Sequence, residues 1–322
     1  MFHRTDGLVT QSEANDNVAL VTKNIRHNNM SPPSYIGRFA PSPSGQLHFG
    51  SLIAALGSYL RAHSQQGQWL VRIEDIDPPR EIPGASDNIL RTLDAYGLHW
   101  HGTALFQHQR LDTYQDRIDQ LIANDEAYYC QCTRKMVQAS GGVYDGHCGR
   151  LQPRLTHGAI RIRNHAKIDQ FIDKLQGHVM VDKVFAEEDF IIKRSDGLYA
   201  YQLAVVLDDA YQGITEVVRG CDLLEASCRQ ISLFSQLGFA PPKWLHLPLA
   251  CAKKGVKLSK QNHAIAIDII HPQASINAAL AFLGQQTVEV DSVEVMLEQA
   301  VEQFNLSAIP VQKEIVLSTI NN

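Results

Sequence analysis

The chain has 322 residues, of which 44% are apolar and 20% charged, a composition typical of a folded globular protein and not of a disordered one. Its formal net charge of −5 argues against a surface that binds polyanions indiscriminately, but leaves room for a local basic site. No apolar stretch reaches the roughly 18–20 residues that cross a bilayer, and the N-terminus lacks the apolar run of a signal peptide. We therefore expect a cytoplasmic protein without a membrane partner.

Residues 1–34 are polar, rich in Asn, Ser and Pro, and show no sustained apolar period. Such a segment cannot bury enough apolar surface to fold by itself. We interpret it as a disordered extension outside the fold, in which Met30 is a candidate for the true start of the protein.

A strand, loop, helix and second strand follow in that order. We predict the first strand over 35–40, a Pro/Gly-rich loop over 41–50, a helix after it, and the second strand over 69–73. Ser51 lies at the start of the helix and is predicted to cap its free backbone N–H groups. The second strand ends in the acidic turn 74–77. This order predicts a parallel sheet whose ligand site lies at the carboxyl ends of its strands.

Further along, the sequence changes to a Cys/Tyr/Gly segment followed by charged amphipathic stretches, as expected of an insertion. A strand over 215–219 and a helix over 225–237 then indicate a second half of the sheet. A lysine-rich loop over 253–261 and short helices complete the chain. The predicted units are the extension (1–34), the first half of the α/β domain (35–110), the insertion (111–195), the second half (196–250) and the loop with a C-terminal helical region (251–322).

The loop after the first strand has the glycine spacing of a Walker A motif between Gly45 and Ser51, but it lacks the phosphate-contacting lysine. The P-loop interpretation therefore fails. What remains is a loop that enters a helix, whose exposed N–H groups and dipole favour an anion, with His48 beside it as a donor. The alternative is a tight turn with a surface histidine.

Three of the six cysteines lie close together in the insertion, where Cys130 and Cys132 form a C-x-C pair and Cys148 follows a glycine-containing loop. Zinc prefers four tetrahedral ligands, usually Cys and His, so the residues alone favour His147 as the fourth. The alternative is a set of reduced cysteines without metal. The remaining cysteines are interpreted as core thiols: Cys221, Cys228 and Cys251.

Four motifs occur in a fixed order: RFAPSPSG from Arg38, HFGS from His48, RIEDID from Arg72 and KLSK from Lys257. Together they resemble the class I glutamyl-tRNA synthetases, whose catalytic domains carry an RFAPSPTG strand and loop, a HIGH-type signature, an RIEDTD turn and a KMSKS-type loop. The chain departs from them at Ser51, which replaces the last His of the HIGH signature, and at Gln261, which replaces the last Ser of KMSKS. The resemblance implies a Rossmann-like, doubly wound parallel sheet with an α+β insertion.

The resemblance also implies a role for each motif in ATP use. His48 and the helix N-terminus, with Gly50 and Ser51, would face the phosphates, and Lys260 would contact the leaving pyrophosphate. Lys257 is a second catalytic candidate. Mg²⁺ is expected because ATP is used as its metal complex. By itself, the lysine-rich loop would equally fit a solvated basic turn.

Selecting glutamate requires an arginine, since a guanidinium matches a carboxylate bidentately. By resemblance, Glu74 would hold the substrate's ammonium group. Val205 stands where family members have an asparagine, and the adjacent Asp208 and Asp209 are expected to orient the site or cap a turn. The glutamate-contacting positions of the family map onto Arg38, Ala40, Ser42, Glu74, Tyr201 and Arg219.

About 60 residues follow Lys260, so we expect no anticodon-binding domain. The nearest resemblance is therefore to the truncated relatives, the glutamyl-Q tRNA(Asp) synthetases. They activate glutamate and transfer it to the queuosine base at the wobble position of tRNA(Asp). They also carry one structural zinc on three cysteines and a tyrosine at this spacing, which here are Cys130, Cys132, Tyr144 and Cys148. We further expect a monomer.

Two other functions fit parts of the sequence. One is a short glutamyl-tRNA synthetase that charges the 3′ end of tRNA(Glu). The other is a non-catalytic, synthetase-derived tRNA-binding protein, against which the intact His48, Lys257 and Lys260 speak.

Overall fold

The structure, a computed structural model, describes residues 35–258 and 265–317. The predicted extension, Lys260 and Gln261 therefore lie outside the described residues. Within the described part, no helix has both the length and the apolarity that crossing a membrane requires.

Strands and helices alternate over the first half of the chain and again after the insertion. The helices are α1 (Phe49–Ser64), α2 (Ala85–Ala95), α3 (Leu111–Ala123), α4 (Arg134–Ala139), α5 (Lys183–Glu187), α6 (Tyr201–Tyr211), α7 (Ala226–Gln236), α8 (Pro272–Phe282) and α9 (Val293–Glu302). The strands are β1 (Ile36–Phe39), β2 (Gln68–Ile73), β3 (Leu105–Phe106), β4 (Ala127–Cys130), β5 (Ala159–Ile162), β6 (Gln170–Asp173), β7 (Gly177–Met180), β8 (Ile191–Lys193), β9 (Glu216–Gly220), β10 (Lys243–Leu247), β11 (Leu249–Lys253), β12 (Val256–Lys257) and β13 (Glu314–Val316).

Two neighbouring sheets form the centre of the fold. β1 pairs with β2 and β2 with β3, all in parallel. The second sheet has the order β7-β6-β10-β9, in which β10 is parallel to both β6 and β9. The backbone N–H of Thr215, just before β9, donates to the carbonyl oxygen of Ile36 in β1 at 2.9 Å, so the two sheets meet at these strands. The predicted α/β class with a parallel, doubly wound sheet is confirmed.

Helix α1 forms where the sequence predicts it, because its apolar residues recur at helical spacing and lie on one buried face. Leu52, Leu56 and Leu60 are fully buried. The prediction that Ser51 caps the helix is wrong. His48 is the N-cap, since its ring Nδ1 accepts a hydrogen bond from the backbone N–H of Ser51 at 3.3 Å.

Two apolar clusters fill the space between helices and sheets. The first gathers α1, α8 and α9 against β1 and β2, around the fully buried Trp69. The second joins Leu203 of α6 and Trp244 of β10 to Ile162 of the insertion. The insertion therefore shares an apolar core with the second half of the α/β domain. Each large apolar side chain buried in this core contributes about 1.5–3 kcal/mol to stability.

Two smaller sheets complete the described part. The insertion contains the antiparallel sheet β4-β5-β8, and the C-terminal region contributes β12-β11-β13. The prediction of short helices alone at the C-terminus is wrong for residues 314–316, which form a strand parallel to β11. Three residues carry no recognisable strand period, and it is the free edge of β11 that makes this segment a strand.

Candidate active site and metal-binding cluster

A cavity of about 500 Å³ lies between the loop after β1, the start of α1 and strands β11 and β12. Its walls include Ser42, His48, Gly50, Ser51 and Lys257. The volume falls in the range of small-molecule sites, about 300–1,000 Å³. Residues from three of the four motifs thus meet at one cavity.

At this cavity, His48 and the first turn of α1 pack closely together. A Cβ atom on residue 50 would lie 3.0 Å from the ring carbon Cε1 of His48, so the glycine makes room for the ring. Because Nδ1 of His48 accepts from Ser51, the proton of the neutral ring sits on Nε2. A helix N-terminus beside a histidine donor is an arrangement that favours an anion.

Lys257 also lines the cavity and is held by an acid that the sequence motifs do not include. Its Nζ donates to Oδ2 of Asp222 at 2.6 Å, and Asp222 also lines the cavity. The pair is half exposed, so it restrains the lysine without removing it from solvent.

The predicted glutamate-contacting residues gather beside this cavity. Arg38, Glu74 and Arg219 are only 3%, 8% and 6% exposed, respectively. Nη1 of Arg219 donates to the phenolic oxygen of Tyr201 at 3.2 Å. Burial raises the pKa of Tyr201, although Arg219 opposes the rise, so its hydroxyl keeps its proton as a donor. The site therefore presents hydrogen-bond donors next to one buried carboxylate.

Ser42 connects this group to the larger cavity. It lines both that cavity and a second one of about 250 Å³, whose walls also include Glu74, Asp77 and Arg80. Ala40 follows β1 directly and is half-buried. Val205 does not lie in this group, since it is fully buried in the second apolar cluster.

Beneath the glutamate-contacting residues lies a buried charge network that the motifs only partly indicate. Arg38 contacts Asp209 through Nε at 3.1 Å and Nη2 at 3.4 Å, and Nη2 of Arg72 lies 2.8 Å from the same carboxylate. Burial alone would raise the pKa of Asp209, but Arg38 and Arg72 hold it below its usual value. Nη2 of Arg72 also lies 3.6 Å from Oε1 of Glu74. The guanidinium of Arg72 therefore forms an ion pair with Glu74, but the two groups share no hydrogen bond.

Asp208 anchors the same network to α3 and the segment before it. Its carboxylate accepts hydrogen bonds from Gln107 at 2.8 Å, from Arg110 at 2.6 Å and from Tyr114 at 2.7 Å. The expectation that Asp208 and Asp209 orient the site agrees with these contacts. Gln107, Arg110 and Tyr114 were not predicted, because their role depends on contacts across about a hundred residues of chain.

The three clustered cysteines meet in the insertion. The Sγ atoms of Cys130, Cys132 and Cys148 all lie within 4.8 Å of one another, and those of Cys132 and Cys148 are 3.5 Å apart. Tyr144 is buried among them, and its hydroxyl accepts from the backbone N–H of Cys148 at 2.9 Å. His147 is exposed, and its backbone N–H is bound to Asp145.

Arg161 supports this cluster from beneath. Its Nε donates to Sγ of Cys130 at 3.4 Å, and its guanidinium carbon lies 3.8 Å from the centre of the Tyr144 ring. A cation in this position stabilises negative charge on a thiolate. The other three cysteines are buried and form no disulfide, and they do not belong to this cluster, in agreement with their interpretation as core thiols.

The catalytic-domain model of the class I tRNA synthetases for E and Q matches residues 36–143 and 151–303. The glutamyl-Q tRNA(Asp) synthetase of Shewanella frigidimarina is 85% identical over 293 residues, which cover 91% of this chain and 100% of that protein. The chain belongs to the glutamyl-Q tRNA(Asp) synthetase family. The resemblance drawn from the four motifs is thereby confirmed.

Members of this family from other bacteria are also similar to the chain. The glutamyl-Q tRNA(Asp) synthetase of Escherichia coli strain K12 is 54% identical over 296 residues, covering 91% of this chain and 96% of that protein. Among solved structures, a glutamate tRNA ligase from Elizabethkingia meningosepticum is 25% identical with a TM-score of 0.69. The match covers 85% of this chain and 65% of that ligase, so the chain spans just under two thirds of its length.

Proposed function

We propose that the chain uses ATP to activate L-glutamate and transfers the glutamyl group to the queuosine base of tRNA(Asp). The observation that carries the proposal is that Arg219, hydrogen-bonded to Tyr201, and the carboxyl of Glu74 lie near one another beside a cavity of about 500 Å³. An amino acid with an acidic side chain needs donors for its carboxylate and an acid for its ammonium group, and this site offers both. The identity of the tRNA and of its modified base is inferred from the names of the family members.

Activation requires the α-carboxylate of glutamate to attack the α-phosphorus of ATP while the bond to pyrophosphate breaks. His48, the backbone N–H groups at the start of α1 and Lys257 would stabilise charge on the phosphates. Magnesium, when bound with ATP, would neutralise part of that charge. Lys260 has the same proposed role and lies outside the described residues.

Transfer requires a ring hydroxyl of queuosine to attack the carbonyl carbon of the activated glutamate, with AMP as the leaving group. Arg219 and Tyr201 would keep the glutamyl side chain in place, since a fixed orientation of the reactants accounts for much of the rate of such a step. Glu74 would hold the ammonium group, with Arg38, Ala40 and Ser42 completing the pocket.

For the metal, we propose one structural zinc ion held by Cys130, Cys132, Cys148 and Tyr144. Three convergent sulfurs are the donor type that zinc prefers, and a buried phenol oxygen beside them is better placed than the exposed ring of His147. The ion would tie β4 to the turn at Cys148, and it takes no part in the chemistry.

The pH dependence of glutamate activation tests the role of Glu74. Burial raises the pKa of this carboxyl to about 7, although Arg72 and Arg38 oppose the rise. Because only the ionised form pairs with an ammonium group, we expect kcat/KM for glutamate to fall about tenfold per pH unit below that pKa. Steady-state ATP–pyrophosphate exchange would measure it. In Glu74→Gln this acid limb should be lost along with most of the activity, and a flat profile in the unsubstituted chain would contradict the assignment.

The proposed function is tested by transfer of labelled glutamate to purified tRNA(Asp) with and without queuosine. We expect glutamate-dependent ATP–pyrophosphate exchange without any tRNA, and labelling only of the queuosine-containing tRNA. Equal labelling of tRNA(Asp) that lacks queuosine, or labelling of tRNA(Glu) at its 3′ end, would overturn the wobble-base assignment. Absence of exchange would overturn the enzymatic assignment altogether.

A further inference from the structure

We propose that Asp173 and His246 position Arg219 for glutamate by fixing which nitrogen of the imidazole carries the proton. This inference rests on the proposed function, because it gives Arg219 the glutamate side chain as its ligand. Asp173 and His246 touch no substrate in this scheme and act as positioning residues. Neither belongs to the four sequence motifs.

Arg219 is held on several sides by the protein. Its Nε donates to Nε2 of His246 at 3.1 Å, and its Nη2 donates to Oγ of Ser227 at 2.8 Å and to the carbonyl oxygen of Leu223 at 3.3 Å. Its Nη1 points to Tyr201 instead. The Nη1 edge is thus the one directed at the proposed substrate, and the other contacts set its direction.

The bond from Arg219 to His246 has a chemical requirement. An arginine N–H can only donate, so Nε2 of His246 must offer a lone pair and the proton of the neutral ring must sit on Nδ1. Nδ1 lies 2.7 Å from Oδ2 of Asp173, an acceptor that selects this tautomer. A histidine with its proton on Nε2 would place two donors face to face.

Asp173 is itself immobilised. Its Oδ1 accepts from the backbone N–H groups of Leu175 at 2.9 Å and Gln176 at 2.8 Å. The three groups lie on adjacent strands, with Asp173 ending β6, His246 in β10 and Arg219 in β9. In the register of the sheet, Asp173 is opposite Trp244, and His246 is opposite Arg219. Asp173, His246 and Arg219, which we call the relay, therefore belong to the sheet and not to a loop.

The charge states agree with this assignment. Burial lowers the pKa of His246 to about 4, with Arg219 adding to the effect and Asp173 opposing it. Burial would raise the pKa of Asp173, but hydrogen bonds from His246 and from backbone amides lower it below its usual value. At neutral pH the relay is a carboxylate, a neutral imidazole and a guanidinium, all of them buried.

Asp173→Asn is the direct test, because asparagine keeps the size of the side chain and its contacts with the backbone amides. The amide of the asparagine would donate to Nδ1 of His246, so the proton of the ring would move to Nε2. Nε2 could then no longer accept a hydrogen bond from Arg219. Losing a hydrogen bond to a charged group predicts that KM for glutamate rises about 10- to 100-fold in ATP–pyrophosphate exchange. KM for ATP should change little.

A second pair of variants keeps the proposal testable if Asp173→Asn folds poorly. His246→Gln retains an acceptor for Arg219 and should preserve more glutamate affinity than His246→Leu, which has none. Asp169→Asn is the matched control, since Asp169 directly precedes β6 and its side chain pairs, among the described residues, only with Lys183, at 3.9 Å. It should leave both KM values unchanged.

The outcomes separate this inference from the function on which it rests. If the unsubstituted chain shows no glutamate-dependent exchange, the proposed function and the relay fail together. If the unsubstituted chain is active and Asp173→Asn changes stability but not KM for glutamate, the relay alone is overturned. ¹⁵N NMR of histidine-labelled protein, assigned with His246→Gln, should show the Nδ1–H tautomer, and the Nε2–H tautomer would overturn it equally.

Discussion

We expect Arg72→Met to lower the free energy of unfolding by about 3–5 kcal/mol, because removal of one partner leaves buried charges uncompensated. Arg72 is fully buried, lies 2.8 Å from Asp209 and donates to Gln212 at 2.6 Å. Methionine fills a similar volume but neutralises neither Asp209 nor Glu74. Urea denaturation at neutral pH, followed by circular dichroism, would measure the change.

Arg91→Met is the matched control for this variant. Arg91 is exposed on α2, so its substitution should alter the free energy of unfolding by no more than about 0.5 kcal/mol. For Arg72→Lys we expect a loss of unfolding free energy between those of Arg72→Met and Arg91→Met. Lysine keeps the charge but lacks the planar guanidinium that reaches several partners. A loss below about 1 kcal/mol in Arg72→Met would show that the network does not depend on this cation.

The second large effect is expected for the metal. Cys148→Ser removes one of three sulfurs, and a serine hydroxyl is a much poorer zinc ligand, so bound zinc should fall from about one equivalent to well below it. Because the ion would tie β4 to the turn at Cys148, the amide protons of β4 and β5 should also exchange faster. Metal analysis of protein purified without added zinc, together with hydrogen exchange, would check both results.

Controls for the metal site follow from the other cysteines and from the two candidates for the fourth ligand. Cys221→Ser changes a buried thiol that does not belong to the cluster and should leave the zinc content unchanged. Tyr144→Phe should weaken zinc retention, and His147→Ala should not. The reverse pattern would place His147 in the site, and unchanged zinc in Cys148→Ser would contradict the cluster as a metal site.

Local sequence patterns predicted the elements that form from local interactions. The spacing of Leu52, Leu56 and Leu60 predicts α1 because a helix buries residues three or four positions apart. The strand of residues 314–316 could not be predicted in this way, since only the edge of β11 makes it a strand. The cap at His48 was missed for a similar reason, as histidine is not among the residues that usually cap helices.

The motifs contain Ser42, His48, Glu74 and Lys257, which line the two cavities, but the motifs do not indicate what holds these residues there. Asp209 is 137 positions from Arg72, and Asp173 is 73 positions from His246. Each pair is formed by neighbouring elements that only the tertiary fold brings together. Sequence patterns also assign charged residues to the surface, because burying an unpaired charge is unfavourable. The charged residues of this network can be buried because they pair with one another. Their partners are far apart along the chain, so local sequence patterns do not reveal the pairing.

The position of β6 limits how this enzyme family can be re-engineered. β6 belongs to the insertion, yet it pairs with β10, and the backbone N–H of Lys174 donates to the carbonyl oxygen of Trp244 at 2.7 Å. Exchanging the whole insertion would remove β6, one of the two neighbours of β10, and expose a hydrogen-bonding edge. A transplant that spares residues 170–180 and replaces only the segment around the cysteine cluster would keep that sheet whole.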